Sequence, residues 1–501
     1  MPDFSRVNMV DCLRHFAQTQ PDHPALEDGD EVISYFELNR RTDELAAAVR
    51  MLGVAVGDVV TVALPDSITH LVVNCGLLRA GAILFSVDPA SKPDELGQAL
   101  DAAGSGFLIS ETGTENFPGV RSLSQAEVST ANGRSFPSAG SLGDQPALLV
   151  QSSGTTGKAK LFHVSHEENL HRYLRVTRQQ GFTPEDRYLT VSAMYFQVCR
   201  SYFFCLLSNG STLILAPNLS PASLVEFVNR RQITVLKLLP VNLLALLEFA
   251  MDKDDSMQFP NLRMMSSGSA HITHQQRLRA RQKLTANFFE GYGANELANV
   301  AIASPADQDA YPESVGRIDD IVEAEIVDDD DQVLPTGEIG LIRLRCAGMI
   351  SGYLDNSVMT ARHFRDGWYY PGDIASINGE RYLFLAGRAD DVINNAGIKY
   401  YPIEVETVLL SHPEVAEAAV FSWPHDTAGQ VTAAAIVARK KIPADDLRQF
   451  CRERLADYKT PYAVIFLKSL PKNGMGKVLK RQLRASLLAQ AGKEAKPSSH
   501  N

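Results

Sequence analysis

Cysteine is scarce in this 501-residue chain, and its six copies, Cys12, Cys75, Cys199, Cys205, Cys346 and Cys451, are scattered without a CxxC spacing. Neither a zinc knuckle nor a disulfide framework is expected, and a reducing cytoplasm suits such usage. Positive charge is also short, with 48 Lys and Arg against 59 Asp and Glu and a net charge of −11. That balance argues against holding nucleic acid by neutralising its phosphates, although local basic sites remain open. No stretch supplies the roughly 18 uncharged apolar residues of a membrane helix, and the N-terminus has no apolar core after a basic start. Neither a membrane span nor a signal peptide is expected. Two histidine pairs, His163 with His166 and His271 with His274, lack a third ligand at suitable spacing and are read as surface or packing residues. There is no internal repeat.

What is present is ordinary globular material. Hydrophobic residues make up 45% and charged residues 21%, enough for several cores and two or more domains. Residues 9 to 53 read as helix, turn, helix, with Val10, Leu13 and Phe16 on one apolar face and Phe36, Leu38, Leu45, Ala48, Val49 and Leu52 on the next. Val59 to Leu64 and Ala82 to Val87 read as buried strands around a helical run from His70 to Arg79, the alternation of parallel α/β units. Thr130 to Gln145, rich in Ser, Gly and Pro, reads as an exposed loop. Beyond it, strands are expected at Tyr188 to Ser192, Ser211 to Ala216, Val235 to Leu239 and Met264 to Ser266, with helices at Leu224 to Arg230 and Val241 to Met251. From about Asp320 the texture changes to short strands and turns, and Asp328 to Asp331 reads as a solvated acidic turn. A small α+β unit follows Asp390, with helices at Ile403 to Ser411 and Ala444 to Ala456 and strands at Ala418 to Phe421 and Thr432 to Val437. The tail from Ala491 offers nothing to bury and is expected to be flexible.

The stretch from Leu148 to Lys160, LLVQSSGTTGKAK, runs an apolar strand into a Ser, Thr and Gly loop ending on two lysines. Such a loop holds phosphate: glycines let the backbone turn, amides and hydroxyls face anionic oxygens, and Lys158 and Lys160 add charge. The competing reading is a plain Ser/Gly connector. A nucleoside-triphosphatase loop is excluded, because only two residues separate Gly154 from Gly157 and Ala159 follows Lys158.

Four further constellations follow. In EGYGANE, Glu290 to Glu296, an aromatic flanked by glycines can stack on adenine while Glu296 offers oxygen to Mg2+; Gly-Tyr-Gly also makes ordinary turns. In GWYYPGD, Gly367 to Asp373, a carboxylate after Pro-Gly can accept both hydroxyls of a ribose, and the following Arg388 can reach ribose or phosphate. The last two stretches, NNAGIKYYPIEVE from Asn394 and LPKNGMGKVLKR from Leu470, look like unremarkable loops on their own, and Lys477 alone reads as a solvated lysine.

Taken in order, these motifs resemble the adenylate-forming superfamily of acyl-CoA synthetases, peptide-synthetase adenylation domains and luciferases, and the likeness spans nearly the whole chain. Residues Asp22 to Asp58 also match its opening pattern. Departures are Ala159 for Pro, Leu161 for Gly and Asn295 for Thr; none removes a group the chemistry requires. The resemblance implies an α/β fold, with a large multi-layer N-terminal domain (1–387) of parallel-rich sheets and a small β-rich subdomain. A small mobile α+β lid (388–490) and a flexible tail (491–501) complete it. It implies ATP and Mg2+ as cofactors and CoA as co-substrate.

By the same resemblance the nucleotide is held by Ser152, Ser153, Gly154, Thr155, Thr156, Gly157, Lys158, Gly268, Gly291, Tyr292, Gly293, Asn295, Asp373 and Arg388. Lys160, Glu296 and Lys477 act in catalysis, with Glu296 on the metal. Asp390 is the hinge, and Gly397 and Lys399 belong to the thiol tunnel. Phe196, Gln197, Val198, Ser201 and Asn299 line the acid pocket. Gln197 stands where amino-acid-activating relatives carry an Asp, and a neutral amide cannot pair with an ammonium, so the substrate is an aryl, aliphatic or alicyclic acid rather than an α-amino acid. Arg200 either meets a polar substituent or faces solvent.

The implied reaction is carboxylate attack on the ATP α-phosphate, release of pyrophosphate, and transfer of the acyl group from acyl-AMP to CoA. Loading of a separate carrier protein is the alternative, since no carrier domain follows residue 481. An inactive nucleotide-binding scaffold is the alternative of another class, disfavoured because Lys160, Glu296, Asp373, Arg388 and Lys477 are all present.

Overall fold

A computed structural model describes residues 7–129, 136, 142–152, 160–216, 218–251, 253, 256–268, 270, 272–473 and 476–494. Four sheets organise the described residues. The largest has nine strands. At its centre Met264–Gly268, Val235–Lys237, Arg187–Thr190, Thr212–Leu215 and Pro24–Asp28 run parallel to their neighbours, and Phe288–Ala294 joins them. The edges, Glu31–Ser34 on one side and Ala298–Ala303 with Arg317–Ile318 on the other, are antiparallel. A second sheet of six strands is parallel except where Pro146–Ser152 turns back into Lys160–Ser165.

One core joins the facing sides of these two sheets. Its filler is the helix Ile68–Ala80, buried along nearly its whole length because ITHLVVNCGLLRA carries a single charge, Arg79. That charge is 1% exposed and tolerable only because Asp43 lies 2.9 Å away and the carbonyls of Asn39 and Val10 each accept a further hydrogen bond from it. The parallel α/β alternation expected between residues 59 and 87 is therefore present.

The expected helix, turn, helix over residues 9 to 53 needs correction. Helices Cys12–Thr19 and Tyr35–Met51 flank a hairpin, Pro24–Asp28 with Glu31–Ser34, whose first strand completes the nine-stranded sheet beside Thr212–Leu215. Long-range pairing outweighs local pattern over so short a segment. Phe36, expected on an apolar face, is 57% exposed in the first turn after the Ser34 cap.

A third, antiparallel sheet includes Glu323–Val327, Gly340–Arg345, Asp373–Ile377 and Leu383–Arg388. The last sheet is built on the long pair Val415–His425 and Gly429–Ala438, covered by Pro402–Leu410 and Ala444–Arg452. The latter helix stops four residues before Ala456. The final helix, Lys480–Glu494, reaches into the segment expected to be flexible from Ala491. Among the described residues no helix is long and apolar enough to cross a membrane.

Candidate active site

The strongest geometry sits where the third sheet meets the edge of the first. Asp373 opens the strand Asp373–Ile377 and pairs in register with Arg388, the last residue of Leu383–Arg388. Cross-strand partners share a face, so the guanidinium reaches the carboxylate at 2.7 Å. The other carboxylate oxygen accepts the Tyr292 hydroxyl at 2.7 Å. Gly372 has φ +83°, and a Cβ there would stand 3.3 Å from the Arg388 guanidinium, so the Pro-Gly turn is needed for this approach.

Lys477 comes to the same place from the C-terminal part. A tight turn holds it, with its amide donating to Asn473 Oδ1 at 2.9 Å and its carbonyl accepting the Asn473 amide at 3.0 Å. Its side chain is exposed, yet it lies near enough to Arg388 and Asp373 to feel both: desolvation, with the like charge of Arg388, pushes its ammonium below the usual lysine value, while Asp373 opposes that shift.

Glu296 and Lys160 form the second half. Glu296 occupies the turn between Phe288–Ala294 and Ala298–Ala303, and its buried carboxylate accepts the Tyr353 hydroxyl at 2.8 Å. Lys160 lies 4.8 Å from the Tyr353 ring centroid and 3.2 Å from His363 Nε2. The Tyr370 carbonyl, 2.7 Å from His363 Nδ1, can only accept, so Nδ1 carries the proton and Nε2 accepts from Lys160. Burial lowers the Lys160 ammonium, and Glu296 opposes it. Gly293 is required here, because a Cβ would lie 2.3 Å from the Ala298 carbonyl.

Two buried arginines of the helix His166–Gln180 fix that turn, and no motif announced them. Arg172 donates to the carbonyls of Asn295, Glu296 and Gly348 at 3.1, 2.8 and 2.6 Å, and burial pulls it down to about 10. Arg175 donates to Leu297, Asn299 and Ala347. Tyr353 and His363 were equally unmarked. The available signal was RYLR, two arginines three apart on one helix face.

The segment proposed for the acid begins the helix Gln197–Leu207. Gln197 donates to Ser201 Oγ at 2.9 Å and accepts from Arg200 Nη2 at 2.6 Å, while Arg200 also donates to the Tyr195 carbonyl at 3.1 Å. Arg200 is 2% exposed, which removes the expectation that it faces solvent; burial pushes it down to about 10. Phe196 packs on Tyr195 with centroids 4.3 Å apart, and Val198 packs on the main core. Gly268, the last residue of its strand, is paired with Gly291 in the middle of Phe288–Ala294, and Asn299 lies beside Gly291.

Asp390 sits in the turn Ala389–Asp391 and pairs with Arg362 at 2.8 Å and Arg481 at 3.1 Å. Gly397 and Lys399 are exposed on the hairpin Ile393–Asn395 with Ile398–Tyr400 and are not brought to Asp373 or Glu296. Ser153 to Lys158 lie outside the described residues, as does the side chain of Ser152; the hairpin that carries them is anchored by the pair Ser152 and Lys160. His166 is fully buried and accepts the Met9 amide at Nδ1, a packing role. His271 is outside the described residues.

Comparison with known proteins finds matches along nearly the whole chain. The AMP-binding enzyme family matches residues 13–354, and the AMP-binding enzyme C-terminal domain matches 404–477. The chain is 27% identical to 4-coumarate--CoA ligase-like 6 of Arabidopsis thaliana, over 91% of this chain and 86% of that protein. It is 28% identical to a long-chain-fatty-acid--CoA ligase of Salmonella typhimurium, over 95% and 94%. The o-succinylbenzoate CoA synthetase of Bacillus subtilis, solved with its acyl-adenylate, superposes with a TM-score of 0.86 at 26% identity, covering 96% of this chain and 98% of that one. The same enzyme is known with ATP and magnesium ion, at TM-score 0.86 and 26% identity over 94% and 99%.

Proposed function

This chain belongs to the family of AMP-binding enzymes, and from that premise we propose how its residues divide the work of an acid:CoA ligase. The enzyme activates a carboxylic acid with ATP to acyl-AMP, releasing pyrophosphate, and passes the acyl group to the thiol of CoA. The observation that carries the assignment of roles is the convergence of Tyr292, Asp373, Arg388 and Lys477 opposite Lys160 and Glu296.

A carboxylate is a poor electrophile, so activation precedes transfer. Asp373 receives the ribose hydroxyls, and Tyr292 and Arg388 hold it in place. Arg388 and Lys477 lie along the path from ribose to α-phosphate, where Lys477 stabilises charge as the substrate carboxylate attacks. Lys160 faces the β- and γ-phosphates with the loop from Ser153 to Lys158. No cluster of three or more His, Cys, Asp or Glu gathers among the described residues, and a nucleotide-bound Mg2+ needs few protein oxygens, so the single carboxylate of Glu296 fits it. When bound, Mg2+ supplies positive charge to the phosphates. Glu296 would hold it, and Tyr353, Arg172 and Arg175 keep Glu296 in place.

We assign residues 1–387 to the body and 388–490 to a lid that turns about Asp390. The arrangement with Lys477 beside Arg388 and Asp373, and Gly397 away from them, suits adenylation; turning the lid would exchange them for thiol transfer. CoA rather than a carrier protein is the acceptor, as the names of the relatives favour. The six free cysteines suit a reducing cytoplasm. Pyrophosphate release with a panel of aryl and aliphatic acids, with and without CoA, tests the scheme. A CoA thioester found by mass supports it; acyl-AMP without thioester moves the acceptor to a carrier protein, and silence with every acid sinks it.

A further inference from the structure

Lys237 is a buried ammonium that the scheme above leaves unused. It ends the central strand Val235–Lys237, is 8% exposed, and forms no ion pair with any described residue. Its Nζ lies 5.3 Å from the Tyr202 ring centroid. Burial pushes it down to about 8, so it is still mostly charged at neutral pH.

The register shows which way it points. Val235 packs into the core beneath the helix Gln197–Leu207, whereas Leu236 packs into the core on the opposite side, so Lys237 shares the face of Val235. On that face Thr190, Lys237, Ser266 and Phe289 form one row across four strands. Two residues further along, Gly268 and Gly291 are paired and carry no side chains. Cys199 and Tyr202, three apart on the overlying helix, lie next to Lys237. Glu290, the carboxylate whose charge acts on Lys237, is on the other face, 2.9 Å from Arg277. Lys237 therefore lies about 7 Å deeper than the glycine pair, measured along the strands, beneath the helix that begins with Gln197.

We propose that Lys237 is the specificity-determining residue of the acid pocket, and that its ammonium receives a second carboxylate at the end of the substrate opposite the one that is adenylated. The inference rests on the reading of the site as an acid:CoA ligase. An uncompensated buried cation is costly, and an anionic substrate group would complete it. Arg200, held to Gln197, adds positive charge to the same helix and further disfavours a substrate ammonium.

The full-length protein, Lys237→Met and Lys237→Arg are assayed for pyrophosphate release with matched acids: pentanoate with glutarate, hexanoate with adipate, benzoate with benzene-1,4-dicarboxylate. In at least one pair the wild type should favour the diacid by about 100-fold in kcat/KM. Lys237→Met should erase that preference through KM for the acid, with KM for ATP unchanged, and Lys237→Arg should retain part of it. Preference for the monoacid in every pair, or a diacid preference that survives Lys237→Met, overturns the proposal. Calorimetric binding of the three diacids without ATP reads the pocket independently of turnover. Binding by wild type that is lost in Lys237→Met supports the assignment even if no acid releases pyrophosphate, in which case adenylation is the reading that fails. No diacid binding together with no diacid turnover overturns it.

Discussion

Tyr292 donates its hydroxyl to Asp373 at 2.7 Å, while the other oxygen of that carboxylate is held at 2.7 Å by Arg388. The carboxylate is thereby fixed before any ribose arrives, which is the preorganisation a nucleotide site needs.

Asp373→Ala should raise KM for ATP and lower kcat/KM by about 100-fold, the loss expected from hydrogen bonds to a charged acceptor at roughly 1.5–3 kcal/mol each. Tyr292→Phe should cost less, since Arg388 still orients the carboxylate. Initial rates of pyrophosphate release against ATP concentration measure both. An unchanged KM in Asp373→Ala would remove Asp373 from the ribose site.

Lys477→Ala should depress acyl-AMP formation by about 100- to 1,000-fold while leaving thiolysis of supplied acyl-AMP near the wild-type rate. Because the ammonium is the active form and its surroundings lower its pKa, adenylation should decline as pH rises, starting below the usual lysine range. The decline should be absent from the residual activity of Lys477→Ala. Equal loss of both half-reactions would contradict the assignment.

Removing Mg2+ with a chelator should abolish pyrophosphate release. Glu296→Gln, which keeps the shape and removes the charge, should raise the Mg2+ concentration needed for half-maximal rate by about tenfold, a loss of ~1.4 kcal/mol. A magnesium titration of both proteins decides this. An unchanged requirement would make Glu296 a structural partner of Tyr353 alone.

His166 gives a pH dependence of stability with a definite sign. It is fully buried, accepts the Met9 amide, and desolvation lowers it from 6.5 to about 4. Between those values the unfolded chain binds the proton and the folded chain does not, so stability falls as pH drops from about 6.5 toward 4. The cost at the low end is roughly 3 kcal/mol. Melting curves at pH 7.5 and 4.5 should show a smaller acid loss in His166→Gln than in wild type. Parallel losses would place the acid sensitivity elsewhere.

Much of the active site was legible because its residues lie in short continuous motifs. Tyr292 and Glu296 are four apart, at the end of one strand and in the turn that follows it, and Asp373 and Arg388 are the two ends of one hairpin, so local chain geometry already brings each set close. The strands Ile83–Ser86 and Val235–Lys237 and the helix Ile68–Ala80 were visible as short apolar runs bounded by turn residues. The hairpin Pro24–Asp28 with Glu31–Ser34 was hidden, because its first strand is stabilised by Thr212–Leu215, almost two hundred residues away in sequence.

Sequence by itself determined the order of motifs, the alternation of strands and helices, and hence the family and its two-step chemistry, since each of those is encoded within a few tens of residues. Tertiary structure alone decided which unmarked side chains complete the site. Arg172 meets the Glu296 turn from a helix more than a hundred residues earlier, Lys160 meets His363 across a gap of similar kind, and Arg200 turns inward to Gln197. Lys237 ends an apolar strand like any other lysine at a strand end until the sheet register aims it under the helix Gln197–Leu207, away from Glu290. Burial and charge pairing are properties of neighbours in space, and a linear pattern carries no record of neighbours so distant along the chain.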